Sequence, residues 1–255
     1  MIYVILPAFN EEKGIGPVLT KLVEIAAASS DQWRVIVVDD GSKDRTSEIA
    51  RTYKSKLDLH VIQFPENRGV AEVFREGFGF VCTDSADPEN DICVLLDSDN
   101  TQDPLVIHDM VRKIRAGEDI VIASRFEGEG RMIGCPFQRQ IFSFGISWIL
   151  RALARLPNVK DYSTFYRAYR VSVLQDAFER YGASFFEGKG FAVAAGMLLK
   201  LGNVTRRFVE VPLILRYDLK GGSSGNKIMK TIQGYLGLIA QYIATAGFRQ
   251  SGRNA

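Results

Sequence analysis

Short apolar runs rich in valine and isoleucine alternate along this chain with longer stretches whose apolar residues recur at helical spacing. The runs are MIYVIL (1–6), VIVV (35–38), LHVIQF (59–64), ICVLL (92–96) and IVIAS (120–124). A run that is apolar throughout reads as a strand covered on both faces, and strands separated by helices predict a parallel sheet between two helical layers. In the first connection Ile15, Val18, Leu19, Leu22 and Ile25 form one stripe at a 3.6-residue period, with Asn10 placed to cap that helix and Glu11 and Glu12 in its first turn. FVEVPLILRY (208–217) alternates as a further strand.

Open sheets of this kind bind ligands beyond the carboxyl ends of their strands. The polar clusters fall there: Asn10-Glu11-Glu12 after the first run, DDGSKD (39–44) after the second, ENRG (66–69) after the third, DSD (97–99) after the fourth and Ser124-Arg125 after the fifth. Five polar strand ends meeting at one crevice predict a binding site.

Beyond residue 125 the pattern changes. EGEGRMIG (127–134) is glycine-rich and reads as mobile, and DLKGGSSGNK (218–227) as a flexible loop ending in Lys227. FQRQIFSFGISWILRALARL (137–156) is apolar with Arg139, Arg151 and Arg155 along it, which fits an amphipathic helix or a helix pair. IQGYLGLIAQYIATAGF (232–248) carries Gln233 and Gln241 and falls short of the roughly 20 apolar residues a spanning helix needs. With Lys227, Lys230, Arg249 and Arg253 around it, it suits a helix in the headgroup region or one packed on the protein's own core. The chain divides on this reading into a main domain, 1–227, with halves 1–125 and 126–227, and a C-terminal amphipathic helix and tail, 228–255.

Composition narrows the classes. With 255 residues, 46% hydrophobic and 24% charged, the chain is globular rather than disordered. A formal charge of +2 without a compact Lys/Arg tract argues against nucleic acid as partner. Cys82, Cys93 and Cys135 fit no zinc spacing and cannot pair completely, so they read as packing residues of a reducing compartment. The apolar start meets acids by residue 11 and reads as a first core strand, not a signal peptide.

Two motifs carry chemistry. Asp97 and Asp99, two apart in extended backbone, project to one side and offer hard oxygens to Mg2+ or Mn2+, ions that bridge to substrate phosphates. Asp99, Asn100 and Asp103 serve equally well as turn formers ahead of Pro104. In VIVVDDGSKDRT (35–46) the strand runs into paired acids, which can accept from the N–H edge of a nucleobase, while Ser42 and Asp44 make a turn and helix cap.

PAFNEE, VVDDGSKDRT, NRG, LLDSDNTQDP, ASRF and FYRAYR, in this order and spacing, resemble the inverting glycosyltransferase family 2, and within it the dolichol-phosphate mannosyltransferase-like branch that acts on polyprenyl phosphates. The resemblance runs from residue 1 to about 230. It implies an α/β GT-A fold: a Rossmann-like, mostly parallel sheet with helices on both faces and C-terminal amphipathic helices. It also implies a nucleotide-sugar pocket from Pro7, Phe9, Asn10, Glu11, Val38, Asp39, Asp40, Arg68 and Ser98, with Arg216 and Lys227 from a closing loop. Asp97 and Asp99 would hold Mg2+ or Mn2+ and the diphosphate, and Arg125, Arg139 and Ser143 the donor diphosphate and an acceptor phosphate. The reaction implied is an inverting transfer from a nucleoside-diphosphate sugar, GDP-mannose first, to a polyprenyl or dolichyl phosphate by a peripheral protein on the cytoplasmic face of a membrane.

The chain departs from the family at three places. Phe165 replaces a small residue, Thr101 stands where Gln is frequent with Gln102 displaced by one, and GFAVAAGMLLKLG (190–202) lacks an acid. These leave the metal shell and acceptor specificity open. PAFNEE in place of a glycine-rich loop with a nearby Arg argues against a sugar-phosphate nucleotidyltransferase. A family 2 transferase acting on a hydroxyl of a glycan or glycolipid would be expected to carry Gln-x-x-Arg-Trp, which is absent. A catalytically silent sugar-nucleotide binding protein is the remaining alternative.

Overall fold

The structure, a computed structural model, describes residues 1–188, 190, 192–221 and 228–251. In chain order its elements are β1 (Ile2–Ala8), α1 (Ile15–Ala27), β2 (Trp33–Asp39), α2 (Thr46–Arg51), β3 (Leu59–Gln63), α3 (Val70–Asp84), β4 (Ile92–Leu95), α4 (Val106–Arg115) and β5 (Ile120–Ser124). There follow β6 (Arg131–Ile133), α5 (Phe137–Ala154), β7 (Arg167–Arg170), α6 (Val171–Tyr181), α7 (Ala192–Leu201), β8 (Phe208–Pro212), β9 (Ile214–Arg216) and α8 (Ile228–Ser251).

Seven strands form one sheet in the order β3-β2-β1-β4-β7-β5-β8, and β6 pairs with β9 in a separate two-stranded ladder. Every pairing in the large sheet is parallel except those of β7, which lies antiparallel between β4 and β5. The period-2 alternation splits the strands between two cores. Tyr3, Ile5, Ile36, Val38, Cys93 and Leu95 face α3, α6 and α7, while Ile2, Val4, Leu6, Val35, Val37 and Val94 face α1 and α4. The runs of β1, β2, β4 and β5 are therefore strands buried on both sides, β3 is a half-buried edge strand, and Cys93 is core.

The structure alters several expectations. Helix α1 begins at Ile15 after Gly14, with no side-chain cap and no acid in its first turn. Asn10 instead takes a left-handed backbone, φ 55°, and its amide oxygen accepts from the Lys43 N–H at 2.8 Å. The stretch 127–134, read as mobile, contains β6, and within 137–156 there is one helix, α5, ending at Ala154. RAYR (167–170) is a strand although neither end is apolar. Arg170 is held at its lower end by Asp119 and the carbonyls of Ile114 and Glu118. Arg167, fully buried at its upper end, donates to the carbonyls of Ala194 at 2.6 Å and Tyr162 at 3.0 Å.

Candidate active site

The chain adds strands outward from β1 to β2 to β3 and then returns to place β4 on the other side of β1. Such a reversal leaves a crevice between the two strand ends. A cleft of about 530 Å³ opens there. Its acidic wall includes Pro7, Phe9, Glu11, Asp40, Ser98 and the Asp97/Asp99 pair, and its far wall includes Arg125, Arg139 and Ser143.

At the acidic wall the ends of β1 and β4 are tied together. Ser98 Oγ donates to the Pro7 carbonyl at 2.7 Å, and Gly14 is packed so closely on the acidic turn that a Cβ would lie 2.7 Å from Asp99 Cα. Asn100 turns the chain with φ 64°, a conformation asparagine tolerates. Asp99 Oδ1 accepts from the Thr101 N–H at 3.0 Å and its hydroxyl at 2.6 Å. That is the turn-former role, but it uses only one oxygen. Oδ2 accepts from the Lys220 ammonium at 2.6 Å. Gln102, displaced from the family position, clamps Asp97: its amide nitrogen donates to Asp97 Oδ2 at 2.7 Å and its oxygen accepts from the Asp97 N–H at 3.1 Å.

These acids crowd one another. Burial and then the Asp99 charge push the Asp97 carboxyl up to about 7, and the same two causes push Glu11 up to about 7. Burial alone would lower Lys220, yet contact with Asp99 outweighs it and holds the ammonium above its ordinary value. One ammonium thus stands among Glu11, Asp97 and Asp99. Among the described residues no three acid, histidine or cysteine side chains converge as a cage. Two carboxylates completed by substrate oxygens are what Mg2+ typically takes, so hard donors in excess of positive charge fit a divalent cation carried with a diphosphate.

The acids of VVDDGS divide their work. Asp39 is fully buried and spent on the turn, accepting from the Ser42 N–H at 2.9 Å and from the Ser47 hydroxyl. Asp40 faces the cleft while holding the Arg68 N–H at 2.6 Å and the Gly69 N–H at 3.0 Å. Val38 is core, Asn10 braces the 42–43 turn, and the Arg68 guanidinium lies over the Phe64 ring. Arg216 pairs with Asp218 at 2.8 Å outside the cleft lining, and Lys227 lies outside the described residues.

On the far wall Arg125 is almost buried. Its Nε and Nη2 bond both oxygens of Asp161 at 2.8 and 2.7 Å, Nη2 also reaches Ser163 Oγ at 2.6 Å, and Nη1 approaches Ser143 Oγ at 3.3 Å. Asp161 is itself fully buried; the Arg125 charge and further backbone N–H groups outweigh its burial and hold it below the usual carboxylate range. The Nη1 edge and Ser143 are left toward the cleft. Arg139 donates to the Tyr217 hydroxyl and sits over its ring. The wall is completed by Phe142 of α5 and Thr231 and Tyr235 of α8.

Sequence reasoning did not assign Asp161, Tyr217 or Lys220. An acid opening DYST and a lysine in DLKGG are weak signals alone; only folding places Lys220 on Asp99, 121 positions away.

The description "Glycosyl transferase family 2" belongs to the family model that matches residues 3–178. The chain is 28% identical over 223 residues to a dolichol-phosphate mannosyltransferase of Pyrococcus furiosus, covering 87% of this chain and 58% of that one. It is 28% identical over 213 residues to an undecaprenyl-phosphate mannosyltransferase of Micrococcus luteus, covering 83% and 82%. In three dimensions it is similar to glucosyl-3-phosphoglycerate synthase of Mycobacterium tuberculosis in complex with Mn2+, uridine diphosphate and phosphoglyceric acid, with TM-score 0.66, 20% identity, and 96% of this chain and 78% of that one covered. Fold, cleft and a match over more than half its length place this protein in glycosyl transferase family 2, as a glycosyltransferase of the GT-A fold.

Proposed function

We propose that the protein transfers a hexose, with GDP-mannose as donor, to a polyprenyl or dolichyl monophosphate with inversion at the anomeric carbon, resting peripherally on the cytoplasmic face of a membrane. The observation that carries this reading is the polarity of one cleft: carboxylates at one side, a guanidinium and Ser143 at the other, and a far wall built from α5 and α8. Mannosyl transfer to a polyprenyl phosphate is named for both relatives. The free thiols of Cys82, Cys93 and Cys135 suit a reducing compartment.

Asp97 and Asp99 would hold the cation, which when bound supplies positive charge against the departing diphosphate. Gln102 keeps Asp97 in place, and Asp40 with Pro7 and Phe9 would line the base and ribose. Arg125 Nη1, Ser143 and Arg139 would receive a second anion. A phosphate monoester has its second pKa near 6, so its oxygen attacks as an anion and needs no base. A hydroxyl acceptor would need one. His60 and His108 lie on β3 and α4, neither lines the cleft, and Asp161 is committed to Arg125, so a base for a hydroxyl would have to be a carboxylate of the acidic wall such as Asp99 or Glu11, whereas a phosphate needs none. Catalysis then rests on bringing two anions together and stabilising the leaving group.

No helix among the described residues is long and apolar enough to cross a membrane. The outer face of α5 nevertheless exposes Phe137, Ile141, Phe144 and Trp148, spaced four, three and four apart, with Trp148 66% exposed. Leu236 and Ile243 of α8 are exposed as well. A stripe of this kind fits insertion into the headgroup region beside the acceptor wall.

The test is transfer of labelled mannose from GDP-mannose, with Mn2+, to a polyprenyl phosphate in vesicles. Radiolabelled lipid lost with Arg125→Met is the expected result. Transfer to a polyprenol or a soluble glycan but not to the phosphate would overturn the acceptor assignment, and transfer from UDP-sugars alone would overturn the donor.

A further inference from the structure

Lys220 has no part in the mechanism above, although its ammonium occupies the most acidic point of the cleft. It sits 2.6 Å from Asp99 Oδ2, and the pair is nearly closed to solvent, with side-chain exposures of 15% and 13%. Its position is fixed by the segment that precedes it. The Arg216 N–H donates to the Thr101 carbonyl at 2.8 Å, which binds the end of β9 to the acidic turn, and the 3-10 turn Tyr217–Leu219 leads directly to Lys220. The Lys220 ammonium also lies 5.7 Å from the centre of the Tyr217 ring, whose hydroxyl is bonded by Arg139. Asp99 Oδ1 is consumed by Thr101, so Oδ2 is the oxygen left for a ligand. Lys220 covers that oxygen.

We propose that Lys220 is a resident counter-ion of the donor site, displaced from Asp99 when a divalent cation and a diphosphate enter together, and that it thereby makes cation binding depend on the nucleotide. The assignment rests on the metal-assisted donor site described above but not on the identity of the acceptor. A cation arriving alone must break the Asp99–Lys220 pair and leave an ammonium without its partner in a poorly solvated cleft, which is costly. A diphosphate arriving with it offers that ammonium new oxygens, so the cost falls. The binding of each ligand then strengthens the other, and by linkage the coupling is the same whichever is added first. An ammonium suits the task because it is a compact point charge on a flexible stem, able to change partners without a fixed fork geometry.

The experiment is Mn2+ titration of the full chain followed by the electron paramagnetic resonance signal of free Mn2+, without nucleotide and with saturating GDP or, in a parallel arm, UDP. Wild type is expected to bind Mn2+ weakly alone and much more tightly with the matching nucleotide. Lys220→Met is expected to bind Mn2+ alone about tenfold more tightly than wild type, since the competing charge at contact distance is gone, and to gain several-fold less from the nucleotide. Lys220→Arg keeps a cation at the site and is expected to retain wild-type order, which separates lost charge from disturbed folding. Mn2+ affinity of Lys220→Met equal to or weaker than wild type without nucleotide overturns the proposal. If wild type binds no Mn2+ with either nucleotide, the metal-assisted donor site falls along with it. Failure of transfer to a polyprenyl phosphate, with these titrations intact, would count against the acceptor alone.

Discussion

Arg125 and Asp161 form the most deeply placed ion pair at the cleft, and the two ways of breaking it are not equivalent. In Asp161→Asn the guanidinium remains, almost buried, with only Ser143 and Ser163 and one amide oxygen to face five N–H groups. In Arg125→Met the carboxylate keeps the N–H groups of residue 125 at 3.2 Å, Ser163 at 3.1 Å and Thr164 at 3.2 Å and the Ser163 hydroxyl at 3.3 Å, and it can also take up a proton. A guanidinium has no such escape. Removing one partner of a buried pair costs about 3–5 kcal/mol, which we assign to Asp161→Asn. Loss of hydrogen bonds around a carboxyl that remains solvated by backbone costs about 1–3 kcal/mol, which we assign to Arg125→Met. At about 2–4 °C per kcal/mol for a chain of this size, the first variant is expected to melt roughly 6–20 °C below wild type and the second clearly less. Urea melts and thermal melts at pH 7.5 measure both. Arg125→Met as unstable as Asp161→Asn, or more so, would refute the asymmetry and with it the view that Asp161 exists to hold Arg125 at the cleft wall.

Three further outcomes follow from the geometry. Glu11 and Asp97, both raised to about 7, favour folding while protonated. That contribution is complete below the ordinary carboxylate range of about 4 and is lost as pH rises toward 7, so metal-free protein should lose thermal stability across that window. Cation binding competes with those protons, so the Mn2+-induced rise in melting temperature should grow from pH 6 to 8; Asp97→Asn should remove much of both trends. Gly14→Ala places a Cβ 2.7 Å from Asp99 Cα and from the Ser98 carbonyl, so it should cost about 1–3 kcal/mol as overpacking does and weaken nucleotide-dependent Mn2+ binding, read by the same melts and titrations. Trp148→Ala removes an exposed ring and should leave stability within about 0.5 kcal/mol, while reducing flotation with phosphatidylglycerol vesicles; unchanged flotation would count against α5 as the membrane face.

The strand ends were legible because burial on both faces leaves an apolar run with an abrupt polar stop, and β1, β2, β4 and β5 all end that way. β7 was not legible, because Arg167 and Arg170 break the apolar run and are satisfied by partners distant in sequence. Asn10 misleads as a cap for a related reason: its side chain accepts from Lys43 and its backbone N–H donates to Ser42, so it serves the turn that follows the next strand and not its own helix. The same holds in the cleft. The spacing of Asp97 and Asp99 marks them, but it does not show that Gln102 holds one and Lys220 the other. Asp39 and Asp40 look alike in VVDD, yet folding spends Asp39 on Ser42 and Ser47 and turns Asp40 to the cleft. A sequence displays which charges are present, whereas a ligand meets only those that internal pairing leaves over. At the wall of Asp97 and Asp99 that remainder is acidic around the Lys220 ammonium, and at the far wall it is a guanidinium beside a serine. On the function proposed, this difference in remainder would orient a sugar nucleotide and a second anion within one cleft.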